Sequence, residues 1–247
     1  MKILTPKIFP NDEIIAGVTE RNLELFPPYG FSISNINLFD EIELNYMKSY
    51  FLNFLIEKYK NDKLELITQK QIHSDSINIV EASNNNLVGD SLITTIKNKI
   101  LVVSIADCAA ILIYDINNRV IAAIHSGWRG SKLKIVSKTI QKLIKLYNSR
   151  VENLLIYISP LASVKNYEVG KEFLDIFPEF CIKKGSKYYF DNKSAILSEL
   201  KNLNITNEQI EISELCTIEN TNLHSFRRDG TNSGRMAAFI CMIGESN

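Results

Sequence analysis

The segment IAAIHSGWRG, residues 121–130, places His125 where an apolar run gives way to a polar corner. The same corner holds Trp128, the only tryptophan of the chain, and Arg129. Histidine is a common metal ligand and the side chain that most readily carries a proton near neutral pH. A strand that ends in histidine is therefore a candidate for metal binding or acid–base catalysis, and its chemistry depends on which other side chains reach it.

Cys108 is the first side chain predicted to reach His125. The apolar segments AAILIYD and RVIAAIH flank DINN, which is typical of a β-hairpin loop. If residues 115–118 form that loop, Cys108 lies opposite His125, with Cβ atoms roughly 5 Å apart. A thiolate and an imidazole at that separation can bind one metal ion, can form a nucleophile pair, or can simply pack in a core.

His73 stands in the polar segment TQKQIHSDSI, and taken alone it is most simply a surface histidine. Together, however, QIHSDSI, ADCAAILIYD and HSGWRGS resemble the laccase-domain family, also called multicopper polyphenol oxidase-like proteins. GDSLITT, YEVG and SFRRDG resemble further blocks of that family, so the similarity covers about residues 65–240. The resemblance implies that His73, Cys108 and His125 are metal ligands.

The resemblance also implies an activity. It points to a zinc-dependent purine nucleoside phosphorylase that acts on adenosine, inosine or methylthioadenosine and also deaminates adenosine, with a purine nucleoside and phosphate as its partners. Some bacterial relatives are linked to peptidoglycan editing, so a hydrolase of cell-wall precursors is one alternative. A metal-free thiol hydrolase built on Cys108 and His125 is another, and a zinc-stabilised binding protein is the non-enzymatic one.

The histidine count limits what the metal site can be. A blue-copper site needs two histidines and a cysteine, and the oxygen-reducing cluster of a multicopper oxidase needs further histidines. The chain has three histidines in all, so we expect no such oxidase, although one copper ion is an alternative occupant. Two histidines and a cysteine leave a fourth position open, as in catalytic zinc sites. The side chains that could instead close the site are Cys181, Cys216, Cys241 and His224.

Four further residues near these segments are candidate site residues. Arg129 could bind phosphate through its planar guanidinium, or could close the corner by bonding to carbonyl groups or to Asp107. Trp128 could stack on a base or pack the corner. Asp107 is predicted to orient a ligand, and Gln71 is a candidate for substrate binding. The arginines at 227, 228 and 235 form a basic cluster, either a solvated face or the border of the pocket.

The apolar periodicity predicts the elements that position these residues. Helices are predicted over 41–59 and 131–147 and at FLDIF and KSAILSELKNL, and strands over 100–106, 109–115, 119–125, 154–159 and 235–243. Ser131 is the predicted N-cap of the 131–147 helix, which would put the anion-attracting N-terminus of that helix beside the corner. Residues 81–90 are predicted to form a loop. Hairpins mixed with crossovers predict an α/β mixed (α+β) fold, a layered sandwich of mixed β-sheets covered by helices, as a single domain over residues 1–247.

Composition excludes several classes of protein. Lysine and arginine number 28, as do aspartate and glutamate, so the formal net charge is zero and neither nucleic acid nor membrane is an expected partner. No apolar run has the length of a signal peptide or of a membrane span, so a cytoplasmic location is expected. The four cysteines are widely spaced without a CxxC pair, which favours core residues, ligands or nucleophiles over disulfides.

Overall fold

The structure of the chain is a computed structural model that describes residues 1–34, 38–81 and 86–244. Its helices are α1 (Glu41–Tyr59), α2 (Trp128–Lys132), α3 (Ile135–Tyr147), α4 (Phe173–Ile176), α5 (Asn192–Asn202) and α6 (Phe226–Asp229). Its strands are β1 (Ile3–Leu4), β2 (Ile14–Thr19), β3 (Glu65–Ile67), β4 (Ile77–Ile79), β5 (Ser91–Thr94), β6 (Lys99–Ile105), β7 (Ala109–Asp115), β8 (Val120–Ser126), β9 (Leu154–Ile158), β10 (Glu168–Val169), β11 (Cys181–Lys184), β12 (Lys187–Phe190), β13 (Ile210–Ile212) and β14 (Met236–Met242). Of the loop predicted over 81–90, residues 82–85 lie outside the described residues.

Two large β-sheets pack face to face. The first has the strand order β1-β2-β14-β6-β3 and the second has the order β13-β9-β7-β8-β5-β4. Both sheets are mixed, because β3 runs parallel to β6 in the first, and β13 and β4 run parallel to β9 and β5 in the second. Apolar side chains from both sheets, such as Val103, Ala238 and Leu112, form the core between them.

Helices cover the outer faces of the two sheets. Phe51 of α1 is fully buried and packs against Phe239 of the first sheet, with ring centroids 5.1 Å apart. On the other side, Ile140 of α3 and Ile196 of α5 are buried in the cluster that covers the second sheet. A small antiparallel sheet, β10-β12-β11, packs with α4 around Phe190. The predicted layered sandwich of mixed sheets covered by helices is confirmed.

Most predicted elements are confirmed with small changes at their ends. Helix α1 spans 41–59 as predicted, because the Asp40 carboxylate accepts a hydrogen bond from the Glu43 backbone and Glu43 bonds back to the Asp40 N–H. The strands predicted over 100–106, 154–159 and 235–243 are β6, β9 and β14, and the two shorter helical segments are α4 and α5. Within the described residues, no helix combines the length and the apolar character needed to cross a membrane.

The hairpin of β7 and β8 forms, but its loop lies one residue later than predicted. Asp115 pairs with Val120, so the loop begins after Asp115. The Asp115 carboxylate accepts hydrogen bonds from the backbone N–H groups of Asn117 and Asn118, both at 3.0 Å, which stabilises the turn. Arg119 then takes a left-handed φ of 51° and stays out of the ladder.

This shift of the loop changes the partner of His125 in the hairpin. Ala110 lies opposite His125, so the prediction that Cys108 occupies this position is wrong. Cys108 immediately precedes β7 instead. Because strand side chains alternate between faces, a register error of two residues still leaves Cys108 on the face that His125 occupies.

The predicted 131–147 helix is two helices, and Ser131 is not an N-cap. Helix α2 already begins at Trp128, and α3 begins after Lys134, whose left-handed φ of 58° breaks the helix. The Ser131 hydroxyl is buried inside α2 and donates to the Asn192 side-chain oxygen at 2.6 Å, so it cannot cap a following turn. Trp128 and Arg129 therefore lie in a short helix rather than in a corner before a long one.

Candidate metal centre and its cavity

Three separate segments bring His73, Cys108 and His125 together. His125 lies near the end of β8, Cys108 lies just before β7, and His73 lies in the connection between β3 and β4. One possible ligand atom from each residue, an imidazole nitrogen or a sulfur, lies within 4.8 Å of the other two. In the described part of the chain this is the only group of three or more His, Cys, Asp or Glu side chains so arranged. We call these three residues the ligand cluster.

The donor chemistry of the ligand cluster fits one transition-metal ion. Two imidazoles and a thiolate suit zinc, and three protein donors leave a fourth tetrahedral position open. The side chains that could have closed the site are engaged elsewhere: Cys181 and Cys241 pack in two other apolar clusters, Cys216 accepts from the Ser163 N–H, and His224 bonds to the Phe31 carbonyl. His125 is buried, Cys108 is half-buried and His73 is exposed, so the cluster can be reached from solvent.

Asp90, which sequence analysis did not single out, supports two members of the ligand cluster. Its buried carboxylate accepts hydrogen bonds from His125 Nδ1 at 2.9 Å and from the His73 backbone N–H at 3.0 Å. Ser74 adds its backbone N–H and its hydroxyl, at 2.6 and 2.9 Å. With Nδ1 donating to Asp90, the Nε2 atom of His125 is left available as a ligand. The signal in the sequence is an acid just before an apolar strand, inside GDSLITT.

Cys108 and His125 polarise each other. Burial disfavours the thiolate, but the charge of His125 and hydrogen bonds from both cluster histidines outweigh it and lower the pKa of Cys108. Burial likewise disfavours the imidazolium, but the charge of Cys108 and the Asp90 contact raise the pKa of His125. The Cys108 thiolate is the form that binds metals and attacks electrophiles.

The ligand cluster opens into a cavity of about 850 Å³, which we call the site cavity. Four residues singled out from the sequence line it together with the ligand cluster: Gln71, Asp107, Trp128 and Arg129. Tyr167, Phe226, Arg227 and Arg235 line it as well, and they come from the YEVG and SFRRDG segments and the arginine that follows them.

Comparison with known proteins identifies the family. The family model described as multi-copper polyphenol oxidoreductase laccase matches residues 52–243. The chain belongs to this family. It is 37% identical over 177 residues to the purine nucleoside phosphorylase of Clostridium acetobutylicum, covering 69% of this chain and 74% of that relative. It is 33% identical over 208 residues to the purine nucleoside phosphorylase of Borreliella burgdorferi, covering 76% of this chain and 88% of that relative.

Solved structures share the laccase-family fold. YlmD from Geobacillus stearothermophilus superposes with a TM-score of 0.83 at 20% identity, covering 97% of this chain and 94% of that one. The Neisseria meningitidis protein NMB0706 also has a TM-score of 0.83, at 22% identity, covering 99% of this chain and all of that one. At this level of identity the likeness concerns the fold alone.

In this laccase-family cavity, Gln71 and Asp107 make contacts that sequence analysis did not anticipate. The Gln71 amide donates to the Ser104 carbonyl at 2.9 Å and accepts from the Ser104 N–H at 2.6 Å, which ties the segment leading to His73 onto β6. Asp107 accepts from the Thr217 hydroxyl at 2.7 Å and from the Arg227 N–H at 2.6 Å. Within the described residues no hydrogen bond joins Asp107 to Arg129, which the sequence had offered as one possible contact.

Trp128 and Arg129 stack on one another at the rim of the laccase-family cavity. The Arg129 guanidinium carbon lies 4.3 Å from the centre of the Trp128 ring, and the other contact of that ring is Phe173, at a centroid distance of 5.3 Å. Trp128 thus packs the corner. The exposed Arg129 side chain makes none of the expected corner-closing hydrogen bonds within the described residues, which leaves its donors available to a ligand.

The C-terminal arginines divide between the cavity and the scaffold. Arg227 lies over the Tyr167 ring at 5.1 Å, and Arg235 lies over the Phe226 ring at 5.4 Å. Arg228 turns away from the cavity instead. It donates to the carbonyl groups of Thr217, Ile218, Asn220 and Leu223 and to the Asp229 carboxylate.

Proposed function

We propose that the chain is a zinc-dependent purine nucleoside phosphorylase that also deaminates adenosine, with adenosine, inosine and methylthioadenosine as its nucleosides. The observation that carries this proposal is the His73–Cys108–His125 cluster in the wall of an arginine-lined cavity. The relatives' names support the phosphorylase activity, because this chain is 37% identical to a protein named purine nucleoside phosphorylase and belongs to the same family.

His73, Cys108 and His125 are the residues that would hold the metal, and Asp90 would orient the second histidine. When bound, such an ion supplies Lewis acidity to an oxygen atom of a ligand. Zinc is the proposed ion because of the borderline-soft nitrogen and sulfur donors, and copper is the alternative occupant. Three histidines cannot also build an oxygen-reducing copper cluster, so oxidation of phenols is not part of the proposed function.

Phosphorolysis requires an anion and a nucleoside to be held side by side. A phosphate oxygen attacks the ribose C1′ atom, the bond from C1′ to the base nitrogen breaks, and the base leaves with that electron pair. We assign phosphate to Arg129, because its planar guanidinium can donate two parallel hydrogen bonds and, within the described residues, makes no hydrogen bond that would compete with them. Arg227 and Arg235 lie on the same cavity and add positive charge.

Tyr167 is suited to contact the nucleoside. Burial raises the pKa of its hydroxyl to about 12, so it remains protonated and can donate a hydrogen bond. Deamination needs no phosphate, because water attacks the purine C6 atom and ammonia leaves. The same cavity can therefore support both reactions while only phosphorolysis depends on the arginines that hold phosphate.

One observation favours a second candidate function, a metal-free thiol hydrolase. The mutual pKa shifts of Cys108 and His125 produce a thiolate beside an imidazolium, the arrangement of a Cys–His nucleophile pair. In that reaction Cys108 would attack a carbonyl carbon and His125 would give its proton to the leaving group.

A turnover screen separates these candidates. Purified protein is assayed with adenosine, inosine and methylthioadenosine, with and without inorganic phosphate, before and after treatment with a chelator and re-addition of zinc. We expect the free base and the sugar 1-phosphate, which is ribose 1-phosphate from adenosine and inosine and methylthioribose 1-phosphate from methylthioadenosine, only when phosphate and zinc are both present. Chelator-treated protein that turns over none of these nucleosides but hydrolyses a p-nitrophenyl ester, with that hydrolysis abolished by iodoacetamide at Cys108, would replace the phosphorylase by the thiol hydrolase.

A further inference from the structure

The site cavity concentrates positive charge in a chain whose net charge is zero. Five cationic side chains line it: Lys48, Lys70, Arg129, Arg227 and Arg235. Among the described lining residues the only carboxylate is Asp107, and both of its oxygens already accept hydrogen bonds from protein groups. None of the five forms an ion pair with a carboxylate within the described residues.

Arg129, Arg227 and Arg235 lie at the end of the cavity that holds the ligand cluster. Arg129 stacks on Trp128, three residues after His125. The Arg227 N–H bonds to Asp107, the neighbour of Cys108. Arg235 lies over the ring of Phe226, the neighbour of Arg227, at 5.4 Å, and lines the same cavity. These arginines are enough to hold one phosphate.

Lys48 and Lys70 are the other two cations of the site cavity: Lys48 comes from α1, and Lys70 comes from the connection between β3 and β4, three residues before His73. Lys48 is a half-buried residue of α1 and lines the cavity beside Leu44, one turn earlier in the helix. The backbone of Lys70 is fixed on both sides, because its N–H donates to the Leu87 carbonyl at 2.8 Å and its carbonyl accepts from the Gly89 N–H at 3.0 Å. Both lysines line the site cavity, and we call them the lysine pair.

One inorganic phosphate cannot balance this charge. A phosphate group carries about 1.5 to 2 negative charges near neutral pH, whereas five cations share the cavity and a bound metal ion would add to them. Like charges around one cavity repel each other, and an anion placed among them relieves that repulsion. Within the described residues no carboxylate pairs with either lysine, so the lysine pair is available to a second anionic group when phosphate occupies the arginines.

We propose that the site cavity binds a nucleotide, that is, a nucleoside that carries its own phosphate group, with that phosphate held by Lys48 and Lys70. The inference rests on the proposed function for the nucleoside part and adds the 5′-phosphate as a determinant of the substrate class. The volume of about 850 Å³ lies in the upper part of the range for ligand sites, about 300–1,000 Å³, and so accommodates a ligand longer than a nucleoside.

Calorimetry of adenosine and AMP binding to the full chain tests this proposal. The protein is first treated with a chelator so that neither ligand is turned over, and inorganic phosphate is kept at a saturating concentration so that the arginine end is already occupied. We expect AMP to bind at least about tenfold more tightly than adenosine, since a charge-assisted contact contributes that much. The preference should weaken as salt is added, because the lysines are accessible to solvent.

Variants decide whether the lysine pair is responsible. The double substitution Lys48→Met with Lys70→Met should abolish the preference for AMP and leave adenosine affinity unchanged. The matched control is Lys58→Met, on the same helix, where the lysine lies over the Tyr59 ring outside the cavity wall. The two single variants are measured as well, and each should lose part of the preference, so a double variant that fails to fold does not end the test.

The possible outcomes separate this inference from the proposed function. Equal affinity for AMP and adenosine in the wild type, or a preference that survives in the lysine variants, overturns the inference even if adenosine is phosphorolysed. A lysine-dependent preference for AMP in a protein that phosphorolyses no nucleoside supports the nucleotide site and rejects the phosphorylase.

Discussion

Two corners of the molecule have similar sequences and face the same cavity, yet they use their histidines differently. The first corner is HSGWRG, residues 125–130, and the second is HSFRRDG, residues 224–230. In each, His-Ser is followed by an aromatic residue and arginine, and the aromatic residue and an arginine line the site cavity. Only the first contributes a histidine to the ligand cluster.

The surroundings of the two imidazoles explain the difference. Both rings are buried, but His125 has the Asp90 carboxylate behind it and the Cys108 thiol in front. His224 Nε2 donates to the Phe31 carbonyl at 2.7 Å, and its Nδ1 has no hydrogen-bond partner in the described structure. Burial first, and then the charges of Arg21 and Arg235, lower the pKa of His224 to about 4. A carboxylate behind a histidine, rather than the local sequence, distinguishes the candidate ligand from the core residue.

The largest expected effect is on metal content. His125→Ala should purify without zinc, as should His73→Ala and Cys108→Ala, because each leaves only two donors. His224→Gln, the matched substitution in the second corner, should retain about one zinc per chain. Metal analysis of the purified proteins measures this, with circular dichroism to show that each variant is folded.

Zinc that persists in all three folded ligand variants contradicts the assignment. Loss of zinc in His224→Gln would instead show that the two corners do not differ in the way the imidazole surroundings indicate.

The proximity of Cys108 and His125 could be predicted from the sequence because the hairpin tolerates an error, whereas His73 was added only by the resemblance to the family. The predicted register is wrong by two residues, but Cys108 and His125 remain on one face of the strand pair. Asp90 could not be predicted in its role, since its contacts with His73 and His125 span 17 and 35 residues and depend on how β5 packs beside β8. The shift in the β7–β8 register arises at Arg119, which adopts a left-handed backbone conformation that its residue type does not predict.

The second corner was harder to interpret for a related reason. Arg227 and Arg228 are adjacent and identical in type, so spacing alone cannot tell which one faces the cavity. The structure separates them because the carbonyl groups after Cys216 surround the Arg228 guanidinium, whereas the Arg227 guanidinium lies over Tyr167. The layered fold, in contrast, could be predicted, because the apolar periodicity of long helices and strands extends over many residues.

The pH dependence of the free energy of unfolding should report the titration of His224, the histidine of the second corner. Its pKa is about 4 in the folded chain against an ordinary value of 6.5, so the unfolded chain binds the extra proton between these values. Stability is therefore lost as pH falls from about 6.5 to about 4, by about 3 kcal/mol in total. His224→Gln keeps a donor for the Phe31 carbonyl but does not titrate, so its stability should fall less over this range.

Urea unfolding of zinc-loaded wild type and His224→Gln at several pH values measures this difference. Parallel stability curves for the two proteins would mean that His224 binds its proton equally well folded and unfolded, and that the contrast with His125 is not one of charge.

The arginines of the two corners should differ in the reaction they affect. Arg129→Lys keeps the charge but loses the planar fork, so phosphorolysis at limiting phosphate should fall about tenfold or more. Adenosine deamination, which uses water, should be largely retained. Arg150→Lys is the control, because that exposed arginine pairs with Glu152 and lies outside the cavity wall. Rates of both reactions are measured on the same preparations.

An equal loss of both reactions in Arg129→Lys would make Arg129 a structural or base-binding residue. If Arg227→Lys rather than Arg129→Lys lost phosphorolysis selectively, phosphate would be assigned to the second corner.

The smallest expected effects come from the serines that follow the two histidines. The Ser225 hydroxyl accepts from the Arg228 N–H at 3.1 Å and caps α6, so Ser225→Ala should cost about 1 kcal/mol of stability and loosen the helix that carries Arg227. The Ser126 hydroxyl bonds to the buried Ser131 hydroxyl at 3.1 Å, and Ser126→Ala should cost about 1 kcal/mol of stability as well.

We expect Ser225→Ala to raise the phosphate concentration needed for half-maximal phosphorolysis by a small factor and to leave zinc affinity unchanged. Ser126→Ala should weaken zinc binding instead, because its strand carries His125; the opposite pattern in the two variants would show that the corners are coupled through the cavity.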